Sequence, residues 1–213
     1  MKTPTAGIIL AAGESTRFGT PKQLLAVAGR FLIEWVLEAA LGSNLDHIAL
    51  VLGCEHERIR RSLGSAAAHP KCEIVVNRDY RSGQSTSLKA GLRRVRPGYS
   101  SVMFLLGDQP LIDSPLIDFL LARYRESEKE ICVPTHCGRR GNPTLFGSAF
   151  YLELLKLSGD KGARDLISAH PDEVLTVEIA EPAPFHDIDR PEDVEKAALL
   201  LQSRRAFARP PSG

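Results

Sequence analysis

Ala6-Gly7-Ile8-Ile9-Leu10-Ala11-Ala12-Gly13-Glu14-Ser15-Thr16-Arg17-Phe18-Gly19-Thr20-Pro21-Lys22 joins an apolar run to a loop of small and charged residues. No polar side chain interrupts Ala6 to Ala12, which predicts a strand buried on both faces inside a parallel sheet. Gly13 ends the run, and mostly small or hydroxylated residues lead on to Gly19. Backbone this poor in bulk lets several N–H groups approach one anion and point at it together. Arg17 and Lys22 add one forked and one compact positive charge. The combination is suited to holding a polyphosphate.

Two common phosphate loops do not fit. The Walker arrangement needs Gly-Lys-Ser/Thr opening a helix, and Lys22 lies between Pro21 and Gln23. The dinucleotide fingerprint needs three closely spaced glycines, and Gly13 and Gly19 stand too far apart. The stretch resembles instead the signature L-A-A-G-x-S-x-R-x-G-x-P-K of the MobA-like NTP transferases, nucleotidyltransferases related to the enzymes of the molybdenum cofactor. The resemblance implies a loop wrapped around an NTP triphosphate. Leu10, Ala11, Ala12 and Gly13 would line it, with Arg17 and Lys22 neutralising the β- and γ-phosphates and the departing pyrophosphate.

Three further polar segments follow apolar runs. Asn77-Arg78-Asp79-Tyr80-Arg81-Ser82-Gly83-Gln84-Ser85-Thr86-Ser87-Leu88 opens a helix predicted to reach Val95. Ser85 or Thr86 suits an N-cap there, and Gly83 with its neighbouring hydroxyls also suits a helix N-terminus that meets an anion or a ribose. The resemblance continues at this point, implying that Asn77, Gly83, Gln84 and Ser85 hold the nucleoside half of the NTP. Val102 to Leu106 ends in Gly107-Asp108-Gln109-Pro110. A carboxylate at the C-terminal edge of a parallel strand faces the crevice where open α/β sheets bind ligands, although a turn Asp is common there too. In the family the Asp of G-D-x-P holds Mg²⁺ (or Mn²⁺), which implies that role for Asp108. Asp189, ahead of Arg190 and Pro191, reads as an N-cap before a helix that starts with proline. By resemblance it is the second metal ligand, with Asp187 as the alternate.

Arg139-Arg140-Gly141-Asn142-Pro143 and Gly159-Asp160-Lys161-Gly162-Ala163-Arg164 are basic and glycine-rich. Such loops suit a second phosphorylated molecule. The resemblance extends to them as the family's acceptor side, implying acceptor contacts from Arg140, Gly141, Asn142, Lys161 and Arg164.

Strands and helices alternate along most of the 213 residues, which predicts parallel pairing through right-handed crossovers. The expected fold is α/β: a single-domain, Rossmann-like, mostly parallel sheet with helices on both faces, of the nucleotide-diphospho-sugar transferase type. The domain is expected to span residues 1–203, with a disordered Pro/Arg-rich tail over 204–213. Trp35 is read as core. A net charge of +1 offers no global field for nucleic acid or a membrane surface, so phosphate affinity must be local. The sequence shows neither an apolar stretch of membrane-spanning length nor a signal-type N-terminus, and the cytoplasm is the expected compartment. Cys54, Cys72, Cys132 and Cys137 lack a disulfide-framework spacing, and Cys132, His136 and Cys137 fall short of a zinc signature.

Within the family, Leu-Ala-Ala-Gly and Gly-Asp-Lys-Gly-Ala-Arg resemble the molybdenum cofactor cytidylyltransferases more than their guanylyl relatives, which typically carry Leu-Ala-Gly-Gly. Asn142 departs from the His found before the proline in many cytidylyl enzymes. The implied substrates are CTP and molybdenum-molybdopterin, and the implied protein partner is a molybdenum hydroxylase or its maturation chaperone. Rival readings are a guanylyl, sugar-phosphate or polyol-phosphate nucleotidyltransferase, a redox protein of pyridine-alkaloid breakdown, and a non-catalytic maturation protein.

Overall fold

Thr5–Ala11 forms β1, the strand around which the other layers are built; it is hydrogen-bonded on both sides and buried on both faces. The computed structural model describes residues 4–14, 18–160 and 162–208. After β1 come β2 (Ala26–Val27), β3 (Arg30–Phe31), α1 (Leu32–Leu41), β4 (His47–Leu52), α2 (His56–Leu63) and β5 (Cys72–Val76). The chain continues through α3 (Gln84–Val95), β6 (Ser101–Leu106), α4 (Ser114–Glu126), β7 (Ile131–His136), β8 (Arg139–Arg140) and β9 (Thr144–Gly147). It ends with α5 (Tyr151–Leu154), α6 (Arg164–Ala169), β10 (Val174–Glu178) and α7 (Pro191–Ala208).

The main sheet runs β10-β7-β9-β6-β1-β4-β5, with β8 paired to β7, and β2 and β3 form a separate hairpin. The β1–β4, β1–β6, β4–β5 and β7–β10 pairs are parallel. β9 is antiparallel to both β6 and β7, an exception to the parallel pairing that alternation suggests. Only residues 137–143 separate β7 from β9, too few for a helical crossover. The reversal has a functional consequence: β9 starts at the rim where β1, β6, β7 and β10 end. The described ends of the loop after β1, the Asp108 turn and the basic loop therefore share one edge of the sheet.

Strand periodicity of two divides the core. Ile9, Ala11, Leu50, Leu52, Met103 and Leu105 pack with α1, α2 and α4 on one face. Ala6, Ile8, Ala49, Val51, Val102 and Phe104 pack with α3, α5 and α6 on the other. A third cluster, Val27, Leu32, Leu111, Ile188, Ala197 and Leu201, seats the β2–β3 hairpin against α7. Trp35 packs against it and donates its indole N–H to Val27 O (2.9 Å), so its ring serves the core.

Some boundaries differ from expectation. A 3-10 turn over Ser148–Phe150 leads directly into α5, so only four residues of the segment after β9 are α-helical. α7 continues to Ala208, past the expected boundary at 203, and Arg204 Nη1 donates to Leu111 O (2.7 Å). Residues 209–213 of the expected tail lie outside the described residues. Among the described residues, no helix is long and apolar enough to cross a membrane.

Two glycines of the rim should respond oppositely to alanine. A Cβ on Gly53 would stand 2.6 Å from Ala12 O and 2.7 Å from Tyr80 Cβ, whereas one on Gly13 meets nothing described within 4 Å. Gly53→Ala is expected to destabilise by about 1–3 kcal/mol, because a backbone oxygen cannot rotate away. Gly13→Ala is expected to stay within about 0.5 kcal/mol of wild type. Urea unfolding of both variants checks the contrast.

Candidate active site

The loop after β1 is pinned at its base. Gln23 is buried in the 3-10 turn Lys22–Leu24, and its Nε2 donates to Ala11 O (2.8 Å) and Gly13 O (3.3 Å). The same turn places Lys22, whose Nζ donates to Asp108 Oδ2 (2.9 Å) and Asp189 Oδ1 (3.0 Å). Asp108 arrives on the turn after β6, and Gly107 can pack there because a Cβ would press on Ala11 Cβ at 2.8 Å. The Ile188 N–H donates to Asp108 O (3.0 Å), tying residues 187–189 to the same spot. Asp187 accepts a hydrogen bond from Gln109 Nε2 (2.7 Å). Two carboxylates from distant parts of the chain thus share one ammonium, and Asp187 lies near enough to feel the charges of all three.

Their charges interact strongly. Burial pulls the Lys22 ammonium towards neutrality, but the charge of Asp108 and the hydrogen bonds that Lys22 donates to Asp108 and Asp189 outweigh it and raise its pKa. Burial pushes the Asp187 carboxyl up, reinforced by Asp108 and Asp189 and opposed by Gln109 and Lys22. Among the described residues, Asp108 Oδ1 is buried without a hydrogen-bond partner, which is costly for a carboxylate oxygen. An acceptor-rich site with an orphaned oxygen fits a hard divalent cation.

The start of α7 folds back on residues 189–190: the Asp193 carboxylate accepts the N–H groups of Asp189 (2.9 Å) and Arg190 (2.8 Å), while the Asp189 carboxylate accepts from Lys22. The start of α3 differs from the sequence reading. Its N-cap is Gly83 at φ 101°, and neither Ser85 nor Thr86 caps it through a side chain. The Gln84 N–H donates instead to Asp160 Oδ1 (3.0 Å), and the Ser85 N–H to Gly159 O (3.1 Å). A Cβ on Gly83 would meet Gly159 backbone at 2.7 Å, so the two loops are in direct contact.

The nucleotide-side and acceptor-side residues line adjoining clefts. One, of about 440 Å³, is bounded by Leu10, Ala12, Gly13, Tyr80, Gly83 and Gln84 among others. The second, of about 680 Å³, is bounded by Arg140, Gly141, Asn142, Thr144, Arg164 and Ser168 among others. Leu10, Gln84 and Asp160 belong to both. Asn77 and Ser85 are buried away from these linings: Asn77 Nδ2 donates to Thr86 Oγ1 (2.9 Å) and Ser87 Oγ (2.9 Å), which shapes the loop. Ala11 likewise lines neither cleft. Arg17 and Lys161 lie outside the described residues. Gln23, Gln109 and Asp160 were not singled out from sequence, although two of them sit inside the quoted motifs. Only the fold shows what their side chains hold.

The raised pKa of Asp187 predicts a stability effect. Its ionisation opposes folding, a penalty fully present above the folded pKa and absent below the ordinary Asp value of 3.8. Asp187→Asn should therefore be more stable than wild type in metal-free neutral buffer, with the gain shrinking as pH falls towards that value. Urea unfolding at the two pH values checks the sign.

Known proteins resemble this chain in family and in fold. Residues 7–174 match the family described as the MobA-like NTP transferase domain. The purine catabolism protein PucB of Bacillus subtilis is 30% identical over 201 residues, covering 92% of this chain and 97% of that protein. Nicotine blue oxidoreductase of Paenarthrobacter nicotinovorans is 28% identical, covering 88% of this chain and 93% of its own. A Thermococcus sibiricus protein named "Probable molybdenum cofactor guanylyltransferase" is 26% identical, covering 73% of this chain and 75% of its own. Among solved structures, Rv0371c of Mycobacterium tuberculosis superposes with a TM-score of 0.81 at 28% identity, covering 93% of this chain and all of that one. A second structure of Rv0371c, described as a complex with manganese, superposes with a TM-score of 0.77 at 26% identity, covering 92% of this chain and 99% of that one. The matched segment takes in the phosphate loop, the Asp108 turn and both basic loops, and the chain therefore belongs to the MobA-like NTP transferase family of nucleotidyltransferases.

Proposed function

We propose that the protein transfers CMP from CTP to the phosphate of molybdenum-molybdopterin and releases pyrophosphate. The observation that carries this reading is the pair of clefts with a common wall at Leu10, Gln84 and Asp160. One lies beside the phosphate loop and the other beside the basic loops, as a reaction between two phosphorylated molecules requires. An oxygen of the acceptor phosphate attacks the α-phosphorus in line, and the bond to the β-phosphate oxygen breaks as pyrophosphate leaves. The chemistry needs positioning and charge neutralisation and no protein nucleophile.

The roles proposed here rest on the family motifs and, for the described residues, on their position at the rim of the sheet. Backbone N–H groups at Gly13, with Lys22 and Arg17, receive the β- and γ-phosphates. Asp108 and Asp189 would hold Mg²⁺ or Mn²⁺, the class of ion in the manganese complex of the relative Rv0371c. Such an ion would supply charge neutralisation for the triphosphate. Lys22 bridges both carboxylates and sets their spacing. Asp187, tethered by Gln109, adds negative charge behind the ligands. Arg140, Gly141, Asn142, Lys161 and Arg164 serve the acceptor. The molybdenum-linked acceptor rests on the cytidylyl-type motifs and on the name of the Thermococcus relative.

Asp108→Asn is expected to keep the fold and lose nearly all turnover, a loss of several kcal/mol in transition-state stabilisation. Pyrophosphate release at saturating Mg²⁺ and CTP measures it; a rate close to wild type would remove Asp108 from the metal site.

CTP is expected to exceed GTP in kcat/KM by at least about tenfold, or roughly 1.4 kcal/mol. Ala12 lines the nucleotide cleft, so its methyl group narrows the slot for a larger base. Ala12→Gly should move the ratio towards GTP. Assaying each NTP with molybdenum-loaded acceptor tests both points, and a wild-type preference for GTP would assign the guanylyl reaction instead.

A further inference from the structure

The turn between β7 and β8 carries a cluster of ligating side chains that nucleotidyl transfer does not use. His136 pairs with Arg139 across the ladder, so Cys137 and Gly138 make a two-residue turn, with φ 49° and 76°. Both angles are left-handed, which Gly adopts freely and Cys only under strain. The strained position holds Cys137 Sγ 3.6 Å from His136 Nε2. Parallel pairing sets Glu178 of β10 opposite Thr135. The carboxylate is fixed there by the Thr135 hydroxyl (2.6 Å) and the Cys137 N–H (2.7 Å), each on a different oxygen.

The imidazole is oriented as well. His136 Nδ1 lies 2.8 Å from Ile179 O, and a carbonyl only accepts, so Nδ1 carries the proton and Nε2 presents a lone pair. A backbone carbonyl on the distal nitrogen is the partner that metal-bound histidines commonly have. Phe185, with its ring centre 5.8 Å away, packs against the imidazole. One ligand atom each from His136, Cys137 and Glu178 lies within 4.8 Å of the others. Tetrahedral zinc with N, S and O ligands sets donors about 3.3–3.8 Å apart, so rotation of two exposed side chains by about an ångström closes the set.

We propose that His136 Nε2, Cys137 Sγ and a Glu178 oxygen bind a zinc-class divalent ion, with the fourth position open to water or an exogenous ligand. The mixed nitrogen, thiolate and carboxylate set favours a borderline ion over Mg²⁺. Binding replaces the thiol proton, which passes to solvent. The site is separate from Asp108 and Asp189 in ligand chemistry. It sits at the base of the hairpin whose Arg140 lines the acceptor cleft, so occupancy would stiffen that wall.

The test loads the full-length protein with Zn²⁺ in a large excess of Mg²⁺, which competes at a carboxylate site and not at a thiolate one, and counts retained zinc. Cobalt(II) is loaded in parallel and read by its thiolate charge-transfer absorbance. One retained zinc per chain is expected, together with that band. Both should be lost in Cys137→Ser and His136→Ala, weakened at least about tenfold in Glu178→Gln, and kept in Cys54→Ser. The exposed turn allows each variant's fold to be checked by circular dichroism. Wild-type protein that retains no zinc against Mg²⁺ would overturn the proposal, as would a folded Cys137→Ser variant that keeps both zinc and the band.

Discussion

The register of β1 with its two neighbours controls everything functional in this protein. Leu10 stands opposite both Val51 of β4 and Leu106 of β6. The three strands therefore run out at one level, and Gly13, Gly53 and Gly107 leave the sheet side by side. Glycine at 53 and 107 is a packing requirement, since a Cβ on Gly53 would collide with Ala12 O and one on Gly107 with Ala11 at the end of β1. A slip of one residue would turn each strand's inward side chains outward and separate the phosphate loop from the Asp108 turn.

On that rim the electrostatics are arranged for a ligand more than for stability. Asp108 and Asp189 share Lys22 with Asp187 close by, and among the described residues Asp108 Oδ1 has no partner. One ammonium cannot satisfy three carboxylates, and burial of Asp187 worsens the balance. Buried charge that is not fully paired is costly. The ionic shortfall and the orphaned oxygen are the two features on which the proposed cation site rests.

The two clefts share a hydrogen-bonded wall. The N–H groups that start α3 are capped by Asp160 and Gly159 of the second basic loop. Gly83 permits that approach through both its left-handed φ and its missing side chain. A helix N-terminus attracts anions, and here a carboxylate of the chain takes that position. Movement of either loop is felt by the other through these short contacts.

Much of this was legible in the residues themselves. The unbroken apolar run from Ala6 to Ala12 demanded a doubly buried strand, and alternation demanded a mostly parallel sheet. The motif positions at Gly13, Lys22, Asp108 and Arg140 were visible because they depend on neighbours in the chain. Pairings across it were not. No local pattern tells that Asp189 accepts from Lys22, that Gln109 tethers Asp187, or that Asn77 is occupied within its own loop. Neither does one reveal that Glu178 lies beside Cys137, because a parallel register joins residues far apart in sequence. Local composition determined the strands, the loops and the chemical types at their ends. Tertiary structure alone decided which of those groups meet, because hydrogen-bond partners and ligand sets are chosen by distance in space.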